Sequence, residues 1–210
     1  LPILINIAAQ TALTFSIGGM AFWMPYYLQE AHGFDKDVAN FYFGAITTVG
    51  GLTSTLAGGL LADRLRTRFA GSYFLVSGWG MILGFLFIVA MVYTPFPAAW
   101  GFVFLAIFFL FLNTGPSNTA LANVTPPAIR ASAFAANIFI IHALGDAISP
   151  PIIGWICDKS NWSTAILFIS FVTLLGGILW LMGRKSLVID TQKVMELEER
   201  LSATPNSHPA

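Results

Sequence analysis

Gly59-Leu60-Leu61-Ala62-Asp63-Arg64 and Gly154-Trp155-Ile156-Cys157-Asp158-Lys159 are two copies of one pattern, G-x-x-x-D-[RK], each closing a long apolar run. Six such runs fill the 210 residues, at 3–29, 38–62, 71–93, 98–122, 131–156 and 162–183. Each is long enough to cross a bilayer as a helix, which takes about 20 predominantly apolar residues. The two copies end the second and fifth runs, three crossings apart, so they fall on opposite sides of the membrane. Inverted repeats of three helices produce this parity. The expected fold is an all-α membrane protein with six transmembrane helices arranged as a 3+3 inverted repeat. A plain helix-end cap followed by a basic residue would write the same letters, and that reading stays open beside the repeat.

Composition sets the class. The chain is 56% hydrophobic and 10% charged, against about 25% charged in an ordinary soluble domain. Transmembrane β-strands would show alternating segments of about 10 residues, which these uniform runs do not. Formal net charge is zero and the charges sit in short connectors, so no nucleic-acid partner is expected. One cysteine, Cys157, excludes an internal disulfide and a multi-cysteine metal site. No metal and no cofactor are expected. The N-terminal run is too long for a signal peptide and has neither basic leader nor small-residue cleavage site. The chain begins inside an apolar segment without an initiating Met, and is expected to be a fragment.

Basic residues alternate between the connectors. Arg64, Arg66 and Arg68 follow run two, Arg130 precedes run five, and Arg184 and Lys185 follow run six. The opposite loops hold Lys36 and Lys159, offset by Glu30, Asp35, Asp37 and Asp158. Positive-inside bias then puts both termini in the cytoplasm. Trp23, Tyr26, Tyr27, Tyr93, Trp100 and Trp162 lie near run ends as interfacial anchors. Residues 1–183 form the expected bundle and 184–210 a cytoplasmic tail, helix-prone over the acidic 190–202 stretch and disordered at its tip.

At Gly59, Asp63 and Arg64 the chain resembles the major facilitator superfamily, whose second-to-third helix loop carries a G-x-x-x-D-R-x-G-R-R-like pattern. Here Arg66 stands where the second glycine falls, and Arg68 follows Thr67. Pro126-Pro127-Ala-Ile-Arg130-Ala-Ser132-Ala, then Gly145-Asp146-Ala-Ile-Ser149-Pro150-Pro151-Ile-Ile-Gly154 and Asp158, are similar to the Spinster-like branch. The resemblance implies helices seven to twelve of a twelve-helix major facilitator fold, with the N-terminal six-helix half of the same transporter as partner. A bacterial inner membrane is the expected setting, with membrane lipids and a small-molecule substrate as the other partners.

Polar residues inside the runs are the candidate site. Asn6, Gln10 and Thr14 share one helix face at i, i+4 and i+8, and run four carries Asn113, Thr114, Gly115, Pro116, Ser117 and Asn118. The resemblance implies that these two helices line a central cavity, so Asn6, Gln10, Thr14, Asn113, Ser117 and Asn118 are the candidate substrate contacts. Hydrogen bonding between packed helices is the alternative for each taken singly. Pro116 frees a helical carbonyl. Run two is rich in small residues, from Gly44 to Gly59, suited to close packing against a helix of the absent half. Runs three and six are expected to face lipid.

His142 and Asp146 share a face at i, i+4. An ionisable pair at membrane depth is costly and is usually kept for function. It can relay a proton or serve as a polar latch between halves. Gly59, Asp63, Arg64, Gly154 and Asp158 are the candidate conformational motif. The expected activity is secondary transport of a small organic or amphipathic lipid-like solute by alternating access, with proton coupling open. Alternatives are an oligomeric channel, for which no filter-like loop is present, or a membrane-embedded scaffold. No enzyme is expected, because the chain has only three His and shows no nucleophile with its base.

Overall fold

The computed structural model describes residues 1–203. All six runs are helical and long and apolar enough to cross a membrane, and the chain is an integral multi-pass membrane protein. The first crossing is α1 (Pro2–His32), the second α2 (Lys36–Arg66) and the third α3 (Ser72–Tyr93). The fourth is broken into α4 (Ala99–Phe111) and α5 (Thr114–Asn123). The fifth comprises a short 3-10 turn at Pro127–Ile129, α6 (Arg130–Ile141), a π turn at His142–Asp146 and α7 (Ser149–Lys159). The sixth is α8 (Trp162–Ala203).

Local chemistry explains where these elements stop and bend. Gly33 closes α1 with φ 69°, a left-handed conformation that glycine adopts without steric cost. Asp35 then caps α2 by accepting from the Asp37 amide at 2.9 Å. In the fourth crossing Pro116 has no N–H, so the Leu112 carbonyl loses its intrahelical donor, and the helix breaks at Leu112–Asn113. In the fifth, Pro150 cannot donate to the Asp146 carbonyl, which Ser149 Oγ approaches at 3.4 Å instead. Upstream the turn widens, and the Ala147 amide reaches the His142 carbonyl at 3.0 Å, the i→i−5 bond of a π turn.

α8 packs along α1 and α3, and α4 packs between α2 and α3. Runs three and six were expected to face lipid; each has one face in the core of this chain and one face exposed. Phe74, Met81, Ile88 and Met91 of α3 and Ile166, Ile169 and Trp180 of α8 are in the core, while Leu86, Phe171, Leu175 and Met182 stay exposed. Tyr27, expected at the interface, is also in the core and packs edge-on against His32. The glycine face of α2 was expected to meet the absent half; much of it instead meets α4 within this chain. Gly50 faces Ile107, Gly51 faces Phe111, and a side chain at Gly58 would run into the Leu112 carbonyl. Gly44 and Gly59 look onto open space. The composition change at Gly183 brings no change of backbone, because α8 runs on to Ala203. The tip of the expected tail, 204–210, lies outside the described residues.

Candidate functional site: a polar-lined intramembrane cavity

The lining of one cavity of about 560 Å³ comes from α1, from the broken fourth crossing and from the fifth around its π turn. Gln10, Thr14, Ser117, Asn118, His142 and Asp146 all line it. Sequence spacing therefore brought six of the eight candidate cavity and coupling residues to one place. Leu13, Ile17, Phe111, Phe134, Ile138 and Ile141 supply apolar walls. A second cavity of about 500 Å³ shares Gly18, Ala21, His142 and Asp146 with the first. Among the described residues, His142 and Asp146 are the only ionisable ones lining either cavity.

Asn6 and Asn113 do not reach the cavity. Asn6 is only 1% exposed and is held from both sides. Its Oδ1 accepts from Trp180 Nε1 at 2.9 Å, and its Nδ2 donates to the Ser117 carbonyl at 3.2 Å. Asn113 Nδ2 donates to the Leu110 carbonyl at 2.7 Å within the break. Asn6 thus bonds between packed helices, whereas Asn113 bonds only within its own crossing and its Oδ1 has no partner. Gln10 Nε2 donates to Ser117 Oγ at 2.9 Å and lies 3.5 Å from Asn118 Oδ1. Through these bonds α1 fixes the polar patch of α5.

The π turn determines how the fifth crossing meets α1. Gly145 and Gly18 interlock there: a Cβ on Gly145 would overlap the Thr14 side chain, and one on Gly18 would overlap Asp146. Thr14 Oγ1 lies 2.7 Å from the Ile141 carbonyl, the closest of three carbonyls within its reach. His142 Nδ1 is 2.9 and 3.1 Å from the two Asp146 carboxylate oxygens, and these side chains are 56% and 37% exposed. The pair is hydrogen-bonded and open to the cavity, midway along the crossing.

One lining residue escaped the sequence reading. Asn137 is 1% exposed, lines the cavity, and has no hydrogen-bond partner for either Nδ2 or Oδ1. Its one available signal was its place five residues before His142, one turn ahead of Ile141. Nothing in run five marked that face as wet.

The two G-x-x-x-D-[RK] copies lie at opposite ends of the bundle. Asp63 accepts from the Tyr73 hydroxyl at 2.9 Å, near a groove that Tyr73 shares with Asn123 and Leu187. The other copy lies where Trp23 meets Trp162, their ring centroids 5.5 Å apart. There Trp23 Nε1 donates to the Pro150 carbonyl at 2.8 Å, and Gly154 leaves room for the Trp23 ring. Arg64 and Asp158 are exposed.

Six helices with an inverted repeat and a cavity between the first, fourth and fifth crossings define half of a twelve-helix carrier fold. Residues 2–150 match the model of the Major Facilitator Superfamily, and the chain belongs to that family. Several of its relatives are named as transporters. Protein spinster homolog 3 of Danio rerio is 31% identical over 199 residues, covering 82% of this chain and 40% of that protein. Sphingosine-1-phosphate transporter SPNS2 of Mus musculus is 30% identical over 228 residues, covering 95% and 41%. The chain thus spans about two fifths of the length of these curated relatives. Among solved structures, a bacterial homolog of the human lysosomal transporter Spinster, inward-facing and unoccupied, superposes with TM-score 0.66 at 15% identity, over 93% of this chain and 48% of that one. The peptide transporter POT in complex with sulfate gives 0.73 at 20%, over 89% and 38%.

Proposed function

We propose that this chain is the C-terminal half of a secondary transporter that moves an amphipathic organic solute by alternating access. The carrying observation is the cavity: a small polar patch of Gln10, Ser117, Asn118 and the His142–Asp146 pair, surrounded by aliphatic and phenyl walls. Such a lining suits a cargo with an apolar body and a polar end. The relatives' names, among them a sphingosine-1-phosphate transporter, support a lipid-like cargo. The exposed apolar faces of α2 (Leu52, Leu56, Leu60) and of the fifth crossing (Phe139, Leu144, Trp155) are the surfaces an N-terminal six-helix half would cover. Bilayer lipid covers the outward faces of α3 and α8. In this reading the His142–Asp146 pair takes up a proton or the cationic end of the cargo, and its hydrogen bond breaks when the halves rock.

The test uses the complete transporter in proteoliposomes, with a fluorescent lysolipid as probe. Gln10→Leu removes the amide that this reading has contacting the polar end of the cargo, a hydrogen bond of about 1 kcal/mol, and should raise KM about fivefold. Asp146→Asn should abolish the dependence of uptake on a pH gradient. Uptake by Gln10→Leu indistinguishable from the parent would count against the cavity as cargo site. Retained gradient dependence in Asp146→Asn would remove the proton from the mechanism.

A further inference from the structure

Sharing no lining residue with the cavity, Arg68, Arg184 and Lys185 line a groove of about 500 Å³ with Phe69, Val188 and Ile189. We propose that this groove binds the phosphate head group of an anionic membrane lipid, with its acyl chains running along α3 and α8.

The level is right for a head group. Arg184 directly follows Gly183, where the uncharged stretch of α8 ends, and Arg68 lies in the connector just before α3 begins at Ser72. Basic side chains at the end of a span extend toward the lipid phosphates while their stems remain on apolar surface. Arg184 does so here: a Cβ on Gly71 would overlap its Cγ, so the stem crosses the backbone at the entry to α3. Gly71 leaves the room for it.

The charge is also uncompensated. No carboxylate lines the groove, and Arg68, Arg184 and Lys185 have no ion-pair or side-chain hydrogen-bond partner among the described residues. Of the other cations at this end of the bundle, Arg64 is exposed and lies outside the groove, while three are engaged. Arg66 donates to the Tyr73 hydroxyl, Arg130 to the Thr125 carbonyl, and Lys193 to Asp190. Asp190, the nearest acid along α8, is already taken by Lys193. Phe69 and Ile189 are about half exposed beside the cations, an arrangement that a soluble anion would leave unused and an acyl chain would cover. Basic clefts at the ends of membrane helices recognise anionic head groups by this pairing of charge with adjacent apolar surface.

The experiment is native mass spectrometry of the detergent-solubilised protein titrated with phosphatidylglycerol or with phosphatidylcholine. Phosphatidylglycerol should bind more tightly. Arg68→Gln/Arg184→Gln/Lys185→Gln should weaken it by on the order of a hundredfold, from about fivefold per cation, and leave phosphatidylcholine unchanged. Lys36→Gln/Lys159→Gln, at the opposite end, should match the parent. If the triple variant aggregates, Arg68→Gln and Arg184→Gln singly should each show about the fivefold loss. Equal binding of the two lipids, or a variant that binds phosphatidylglycerol like the parent, overturns the proposal. Displacement of phosphatidylglycerol by inorganic phosphate at equal concentration overturns it too, since the site would then take a free anion.

Discussion

Asn137 places an amide in the membrane interior with both polar atoms unpartnered. A buried donor or acceptor left unsatisfied costs about 1–3 kcal/mol, whereas an apolar side chain of the same shape incurs no such cost. Asn137→Leu should therefore raise the Tm by roughly 2–4 °C per kcal/mol recovered, measured by thermal unfolding in detergent. If cargo supplies the missing partners, the same substitution should weaken cargo binding; a variant that is less stable yet binds normally would reveal an amide satisfied elsewhere. The contrast with Asn6 explains what could be read from single residues. Both are asparagines in apolar helices, and Asn6 had the better sequence pattern, standing i, i+4 from Gln10. Spacing gives the face of a helix but not its neighbour. Asn6 met Trp180 from a crossing 174 residues away, and the cavity begins one turn later at Gln10.

At the scale of the elements, two adjacent glycines of α2 separate packing inside this chain from a surface left open. A Cβ on Gly58 would run into the Leu112 carbonyl, the one Pro116 leaves without an intrahelical donor, while a Cβ on Gly59 would meet nothing within 4 Å. Gly58→Ala should push α2 from the break in the fourth crossing, at the 1–3 kcal/mol typical of overpacking. Gly59→Ala should leave stability unchanged or gain up to about 1 kcal/mol from helix propensity. Thermal unfolding of both variants checks the pair, and equal destabilisation would mean the Gly58 contact is not specific. The six crossings and their order were legible because apolar run length is a strong signal. Their interruptions were only partly so. Pro116 announced the break in the fourth crossing. The π turn follows from Pro150 as well, but a proline near a helix end ordinarily passes as a boundary, and its effect here falls four residues upstream. The small residues of α2 showed that a close contact exists without showing with what, and the closest lies with α4 of the same chain.

For the whole molecule, the division of charge between the two ends sets its direction in the bilayer. Arg64, Arg66, Arg68, Arg130, Arg184 and Lys185 belong to connectors at one end, and Lys36 and Lys159 to the other. Positively charged connectors are retained on the cytoplasmic side during insertion, so the Asp63 copy should face the cytoplasm and the Asp158 copy the outside. Thr67 and Ser160 are exposed at the two ends and make suitable reporters. In a Cys157→Ser background, Ser160→Cys should react with a membrane-impermeant maleimide added to intact cells, and Thr67→Cys only after permeabilisation. The reverse pattern would invert the protein. It would also move the basic groove at Arg68 and Arg184 to the outer leaflet, away from the negative surface potential of the cytoplasmic face. Labelling of both sites from outside would place the two motif copies on one side, which six antiparallel crossings with an inverted repeat do not allow.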